Sequence, residues 1–403
     1  MGQMTAQCAM RLEEYSLEQL ATVLAACVRA RYTPAELLLP LQLRLRSEAR
    51  GDMQEEAANV AAIATHLSRL RVGEERTWAA LDAAAQACGP QLGLQHLVAL
   101  LAARIRAGVV PTGTGSGTGT GGPRADEGSA ASWLVERVER AAVADMQSAS
   151  PQEVATLMWS LARCGRPPSR SLVRALRTHL DDRRQQQDAV EGDQRAAVGG
   201  GQSYSVVQLA AVAGACQKLG VEDRQLSWQL ATHGAQALRD EATALRLPVP
   251  AAGGAGSRRA TFTVERPAAP VDSQAVAVLV AGAKAVSGRP RPQPKPLTAA
   301  HAAAAEAPSG AAAATAPPQA AAAASSKSDE AFASLLRAAA RMLLTLHEAG
   351  AFGATGSAES GGGRARLVGG LDMAHVAAVA EAAQDAGLAD ESATLHKLAV
   401  ERS

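Results

Sequence analysis

Apolar residues along this chain recur at helical spacing, in a frame that opens repeatedly. From Ser16, the stretch SLEQLATVLAACVRAR puts Leu20, Val23, Leu24 and Cys27 at i, i+3, i+4 and i+7. The same stripe returns as Val60, Ile63, Ala64 and Leu67, and as Val154, Leu157, Met158 and Leu161. It returns again as Leu209, Val212, Ala213 and Cys216, and as Val376, Val379, Ala380 and Ala383. Frames open at Ser16, Glu56, Gly93, Ser150, Ser205, Asp272 and Asp372, with the Asp272 frame the least regular. Such a stripe predicts an amphipathic helix that buries one face. The slot after the first apolar position is small or short in every frame: Ala21, Ala61, Val98, Ala155, Ala210, Ala277 and Ala377. Small side chains there would let neighbouring helices approach closely.

The frames at Ser16, Glu56 and Gly93 open 40 and 37 residues apart, which leaves room for a second helix in each unit. One is expected from Thr77 through Trp78 and Leu81 to Ala87, another from Ser132 through Trp133 and Leu134 to Val143. No unit can bury its stripe alone, so stacking is required. The expected fold is all-α: an α-solenoid of two-helix repeats of about 38–40 residues, interrupted by disordered inserts. Repeats are expected over residues 1–110, 130–184 and 204–247, and a degenerate repeat helix over 272–288. Residues 328–403 read as C-terminal helices around a Gly-rich insert at 353–370. The Gly/Thr stretch 111–129, the polar insert 185–203, the segment 248–271 and the Pro/Ala tract 289–327 read as linkers. Pro317 and Pro318 are expected to cut short any helix in the Ala-rich piece near Ala311.

Composition narrows the picture. Only 2% of the 403 residues are aromatic, and alanine and leucine favour helix over strand. With 40 basic and 39 acidic residues, no global field points to nucleic acid or to a membrane surface, so any electrostatic case is local. Cys8, Cys27, Cys88, Cys164 and Cys216 form no C-x-x-C pair and read as buried thiols. No apolar run reaches the roughly 20 residues that span a bilayer, so membrane insertion is not expected. The start MGQMTAQCAM has the composition of neither a signal nor a transit peptide.

Residues 132–168 carry a specific likeness. Trp133 and Leu134, then Ser150, Pro151, Gln152, Ala155, Leu157, Trp159, Leu161, Ala162 and Gly165, resemble the octotricopeptide repeat, whose unit runs W-L, a spacer, then S-P-Q-x-L-A-N-x-L-W-A-L-A-x-L-G. The frames from Ser16 and Ser205 resemble it less closely. The resemblance implies an α-solenoid that binds organellar RNA, typically in green algae, and serves RNA stability, processing, splicing or translation. It implies a place in chloroplast or mitochondrion. The small C-terminal RAP domain of some members is not recognisable in this sequence.

Two polar columns run through the frames. Thirteen positions after each start stand Arg29, Arg69, Arg106, Arg163 and Lys218, while the last two frames carry Ala285 and Asp385. This slot lies nearly opposite the apolar stripe, so stacked helices would line up cations that can track phosphates. Complementing the helix dipole explains the same placement without RNA. Three positions after each start stand Gln19, Asn59, His96, Glu153, Gln208 and His375, with Ala275 breaking the series. Varied hydrogen-bonding groups at a fixed slot could read base edges, and polar first-turn residues are the plain alternative. Trp159 could stack a base or pack on the next unit. Arg174 and Arg177 extend the basic stretch, since no acid stands between Glu153 and Asp181.

Catalytic signals are poor. Gly117, Gly119 and Gly122 fit G-x-G-x-x-G only within a linker, and no P-loop lysine follows. His347-Glu348 lacks the second histidine of a zinc helix, and no Cys/His cluster has ligand spacing. The expectation is a non-catalytic protein with no catalytic residue, metal, cofactor or small-molecule substrate. Its expected partner is single-stranded RNA. The alternative is a helical scaffold for protein partners without nucleic acid. Because the first frame opens at Ser16, the chain is also expected to be part of a longer array.

Overall fold

The computed structural model describes residues 2–51, 53–109, 127–190, 203–246, 273–286, 318–348 and 372–400. Among them it forms helices and no strand. The helices are α1 (Gly2–Met10), α2 (Leu17–Ala30), α3 (Ala35–Glu48), α4 (Ala57–Arg69), α5 (Glu75–Ala87), α6 (Leu94–Arg106), α7 (Glu127–Asp145) and α8 (Pro151–Cys164). They continue as α9 (Arg170–Val190), α10 (Val206–Lys218), α11 (Arg224–Arg246), α12 (Ser273–Val286), α13 (Pro318–Glu348), α14 (Met373–Asp385) and α15 (Ala389–Val400).

Each of six frame starts becomes an N-cap. Ser16, Glu56, Gly93, Ser150, Ser205 and Asp372 immediately precede α2, α4, α6, α8, α10 and α14. The serines do so by chemistry: Ser16, Ser150 and Ser205 each close a capping box with the residue three positions on. The helix ends repeat as faithfully. Fifteen residues after these starts, Arg31, Arg71, Gly108, Gly165, Gly220 and Gly387 all take positive φ. The next N–H reaches back five residues in each case: Tyr32 to Cys27, Val72 to Leu67, Val109 to Arg104, Arg166 to Leu161, Val221 to Cys216 and Leu388 to Ala383. This is a Schellman-type stop, and it settles helix carbonyls that would otherwise be unpaired.

Two of these stops use arginine where glycine is at ease, Arg31 at φ 52° and Arg71 at φ 57°. A left-handed L-residue costs about 1–2 kcal/mol, partly offset by the larger entropy that glycine loses on folding. Replacing Arg71, whose side chain is exposed, by Gly is therefore expected to stabilise the protein by up to about 1 kcal/mol. A thermal melt checks this, and a lower melting temperature would contradict it.

The chain divides into two compact units, Met1–Ser203 and Tyr204–Ser403. In the first, the frame helices α2, α4, α6 and α8 pack each on the next. Behind them α1 packs on α3, α3 on α5, and α7 on α9. The second unit repeats the scheme: α10 packs on α12 and α12 on α14, while α11 packs on α13 and α13 on α15. The stripe residues form the core between helices. Leu20, Leu24, Cys27, Val60, Ile63, Leu67, Leu157, Leu161, Leu209, Val212 and Val376 are all buried, and Val23 is half-buried. Trp78 of α5 is buried too, and its indole N–H donates to the Val72 carbonyl at 2.8 Å, tying the second helix to the stop of the first. Small residues bring helices together: a Cβ on Gly282 of α12 would lie 2.6–2.7 Å from backbone and side-chain atoms of Ala213 of α10.

All five cysteines are free thiols; four are buried, and Cys164 is half-buried. Burial pushes Cys88 up to about 11 and Cys216 up to about 12, so neither is a ready nucleophile.

Three boundaries differ from the sequence-based expectation. Helix α7 begins at Glu127, inside the expected 111–129 linker, and α9 runs to Val190, past the expected start of the polar insert. Helix α13 begins at Pro318, inside the expected Pro/Ala linker. Proline is suited to the first turn of a helix, and the alanines after Pro318 are strong helix formers, so α13 opens there; the piece near Ala311 lies outside the described residues. Most other expected linker residues, including Gly117, Gly119, Gly122 and the 353–370 insert, lie outside the described residues.

Candidate nucleic-acid interface

The cation column lies where the stripe phase places it. Arg29, Arg69, Arg106, Arg163 and Lys218 occupy the last turns of α2, α4, α6, α8 and α10, and all five are exposed. In the first unit α2, α4, α6 and α8 pack in succession, so Arg29, Arg69, Arg106 and Arg163 stand on adjacent helices at corresponding positions. Neighbouring helix axes lie about 8–10 Å apart, which sets the rung spacing of such a ladder. No carboxylate lies within 4.0 Å of these four guanidinia among the described residues, whereas Arg11, Arg44, Arg166 and Arg337 each pair with one and Arg104 with two. In the second unit the ladder is not continued. Lys218 is followed by exposed Ala285 on α12 and by Asp385 on α14, which binds Lys284 at 2.7 Å.

Adjacent rungs share surroundings. Trp159 of α8 is half-buried, and two guanidinia address its ring, Arg163 from its own helix and Arg106 from α6. Each guanidinium carbon is 5.8 Å from the ring centroid. Helical periodicity alone puts Arg163 one turn from Trp159; Arg106 joins it only through helix packing. A second cluster forms around His66 of α4. Burial lowers the imidazole pKa, and the charges of Arg69 and Arg29 lower it further. Its Nδ1 is buried with no hydrogen-bond partner among the described residues. His66 belongs to neither polar column, and the only signal for it in the sequence is its place three residues before Arg69, on the same face of a helix.

The second column falls at the opposite ends of the same helices, in their first turns. Ten residues separate the columns along each helix, or about 15 Å. That exceeds the reach from a nucleotide's phosphate to the edge of its own base. Three of the column's side chains are engaged in capping: the Gln19 and Gln208 amide oxygens accept from the N–H of Ser16 and Ser205, both at 2.9 Å, and Glu153 accepts from Ser150 N–H at 2.7 Å. Asn59 donates to Glu56 at 2.7 Å. His375 is 3.3 Å from the Ser273 hydroxyl, and His96 is half-buried with Gln95 beside it at 3.4 Å. In α2, α8 and α10 the column residue therefore serves the helix cap.

Arg174 on α9 is exposed and Arg177 half-buried, away from the ladder in sequence and on a different layer. No group of three or more metal-ligating side chains gathers among the described residues. No helix among them is long and apolar enough to cross a membrane.

Searches against models of known protein families and against curated proteins find no match for this chain.

Proposed function

We propose that the chain is a non-catalytic RNA-binding α-solenoid and that its first unit holds single-stranded RNA by the phosphate backbone along Arg29, Arg69, Arg106 and Arg163. The observation that carries this is the line of four exposed guanidinia, without carboxylate partners among the described residues, on four successively packed helices. Regularly spaced cations neutralise successive phosphates and gain free energy from counterion release. An indole among them supplies a face for a base, the other recurring component of single-strand sites.

The repeated cap, stripe and left-handed stop support a unit that recurs, and the pairing of alternate helices supports side-by-side stacking of those units. The likeness of residues 132–168 to the octotricopeptide repeat adds the setting: RNA stability, processing, splicing or translation in a chloroplast or mitochondrion. The rival reading is a scaffold for protein partners, favoured by the near-zero net charge of +1.

Ultraviolet crosslinking of the native protein, followed by peptide mapping, decides between them. RNA adducts are expected on peptides from the C-terminal turns of α4, α6 and α8. Absence of RNA, or adducts confined to α3, α5 and α9, would remove the proposal and leave the scaffold.

A further inference from the structure

The ladder is uniform in charge but not in shape. At the position that Trp159 occupies on α8, the other three ladder helices carry Ala25, Thr65 and Ala102. One rung alone has an aromatic ring, and that rung also draws in the cation of its neighbour. We infer that Arg106, Trp159 and Arg163 make a single nucleotide subsite across α6 and α8, taking one base on the indole and the adjoining phosphate on the two guanidinia. This rests on the RNA reading above and goes further, because it places one anchored nucleotide on an otherwise sequence-blind track.

Three features support it. Guanidinia within about 6 Å of an indole centroid are attracted by the ring quadrupole, and tryptophan is the strongest partner for this. Two such groups sit at 5.8 Å from one ring, so the indole pre-positions both. No carboxylate lies within 4.0 Å of either guanidinium among the described residues, whereas Arg104 has two and Arg166 one. A phosphate would supply that counter-charge, and a guanidinium fork matches its oxygens. Finally, the indole is only half-buried, unlike Trp78, which is 1% exposed. Core packing does not use up its surface. A base stacked there would be chosen for its π-face rather than its edge, which every base offers.

The test uses the full chain and a short single-stranded oligouridylate as probe, with polyglutamate as the competing polyanion. Trp159→Leu keeps apolar bulk but loses the ring, and Trp159→Phe keeps a ring. The Leu variant is expected to bind oligouridylate about 5- to 100-fold more weakly. The Phe variant is expected to stay within about threefold of the parent. Arg106→Gln changes an exposed side chain and serves as the second variant should Trp159→Leu unfold; it is expected to weaken binding about tenfold. If folded Trp159→Leu and Arg106→Gln both bind like the parent, the subsite is overturned. If binding then still weakens on replacing Arg29 and Arg69, the ladder stands without it. Polyglutamate bound as tightly as oligouridylate, with the same dependence on Trp159, overturns it in favour of an acidic peptide. A parent chain that binds no oligouridylate overturns both the subsite and the ladder.

Discussion

Asp82→Ala is expected to destabilise the protein by about 3–5 kcal/mol. Arg104 of α6 is 2% exposed and Asp82 of α5 is 7% exposed, and the two form a direct ion pair. Glu75, more exposed, stands 3.5 Å from the same guanidinium. Burial pushes the Asp82 carboxyl pKa up, and Arg104 draws it back down. Removing the carboxylate leaves a buried guanidinium without its closest counter-charge, which costs far more than the pair itself contributes. Replacing Arg104 and Asp82 together by apolar residues of similar volume is expected to be much milder, since such exchanges are often neutral. Urea unfolding of the three proteins checks this. A loss under about 1 kcal/mol for Asp82→Ala would show that water reaches Arg104.

Replacing Arg69, Arg106 and Arg163 together by Ala is expected to weaken binding of single-stranded RNA about 100-fold or more at low salt, taking about tenfold per charge-assisted contact and allowing for non-additivity. The loss should be similar for different sequences, because phosphate contacts position a strand without reading it. These arginines also lie at helix C-termini, where each contributes about 0.3–1 kcal/mol through the helix dipole. A purely dipolar role makes a different prediction: the variant melts earlier, yet keeps its RNA affinity wherever it is folded. Circular dichroism on the binding samples separates the two. Substitution at Asn59 or His96, at the far ends of the helices, is expected to leave this backbone binding nearly unchanged.

Much of this fold is legible in the sequence because its punctuation is chemical. Serine at a frame start, followed three residues later by Gln or Glu, dictates a capping box, and glycine fifteen residues on dictates a left-handed stop. Arg31 and Arg71 hide the same stop, because nothing in their chemistry announces positive φ. Arg104 is legible as an anomaly. It holds the slot that Cys27, Leu67, Leu161, Cys216 and Ala383 fill elsewhere with apolar atoms, and only the structure shows Asp82 opposite it. The start of α13 is harder to read, because proline stops a helix from within yet suits its first turn.

The cation column is legible for a similar reason: one slot of a periodic helix stays on one face. What no single helix reveals is which rungs touch. The meeting of Arg106 with Trp159, and of Arg29 and Arg69 around His66, depends on packing between helices about 40–60 residues apart in sequence. The polar first-turn column is legible as a position, but its chemistry is largely local, since capping satisfies backbone groups that every helix start leaves open.

The salt dependence of binding tests the central claim most directly. For a single strand, each phosphate contact contributes a slope of about −0.7 in log affinity against log salt concentration. Four rungs in the first unit therefore give about −3 for the parent chain, and loss of Arg69, Arg106 and Arg163 leaves a slope shallower by about 2. Filter binding of a single-stranded oligonucleotide across a salt series, on folded parent and variant, reads both numbers. Parallel lines with equal affinity would contradict the ladder and return the arginines to the helix dipole alone.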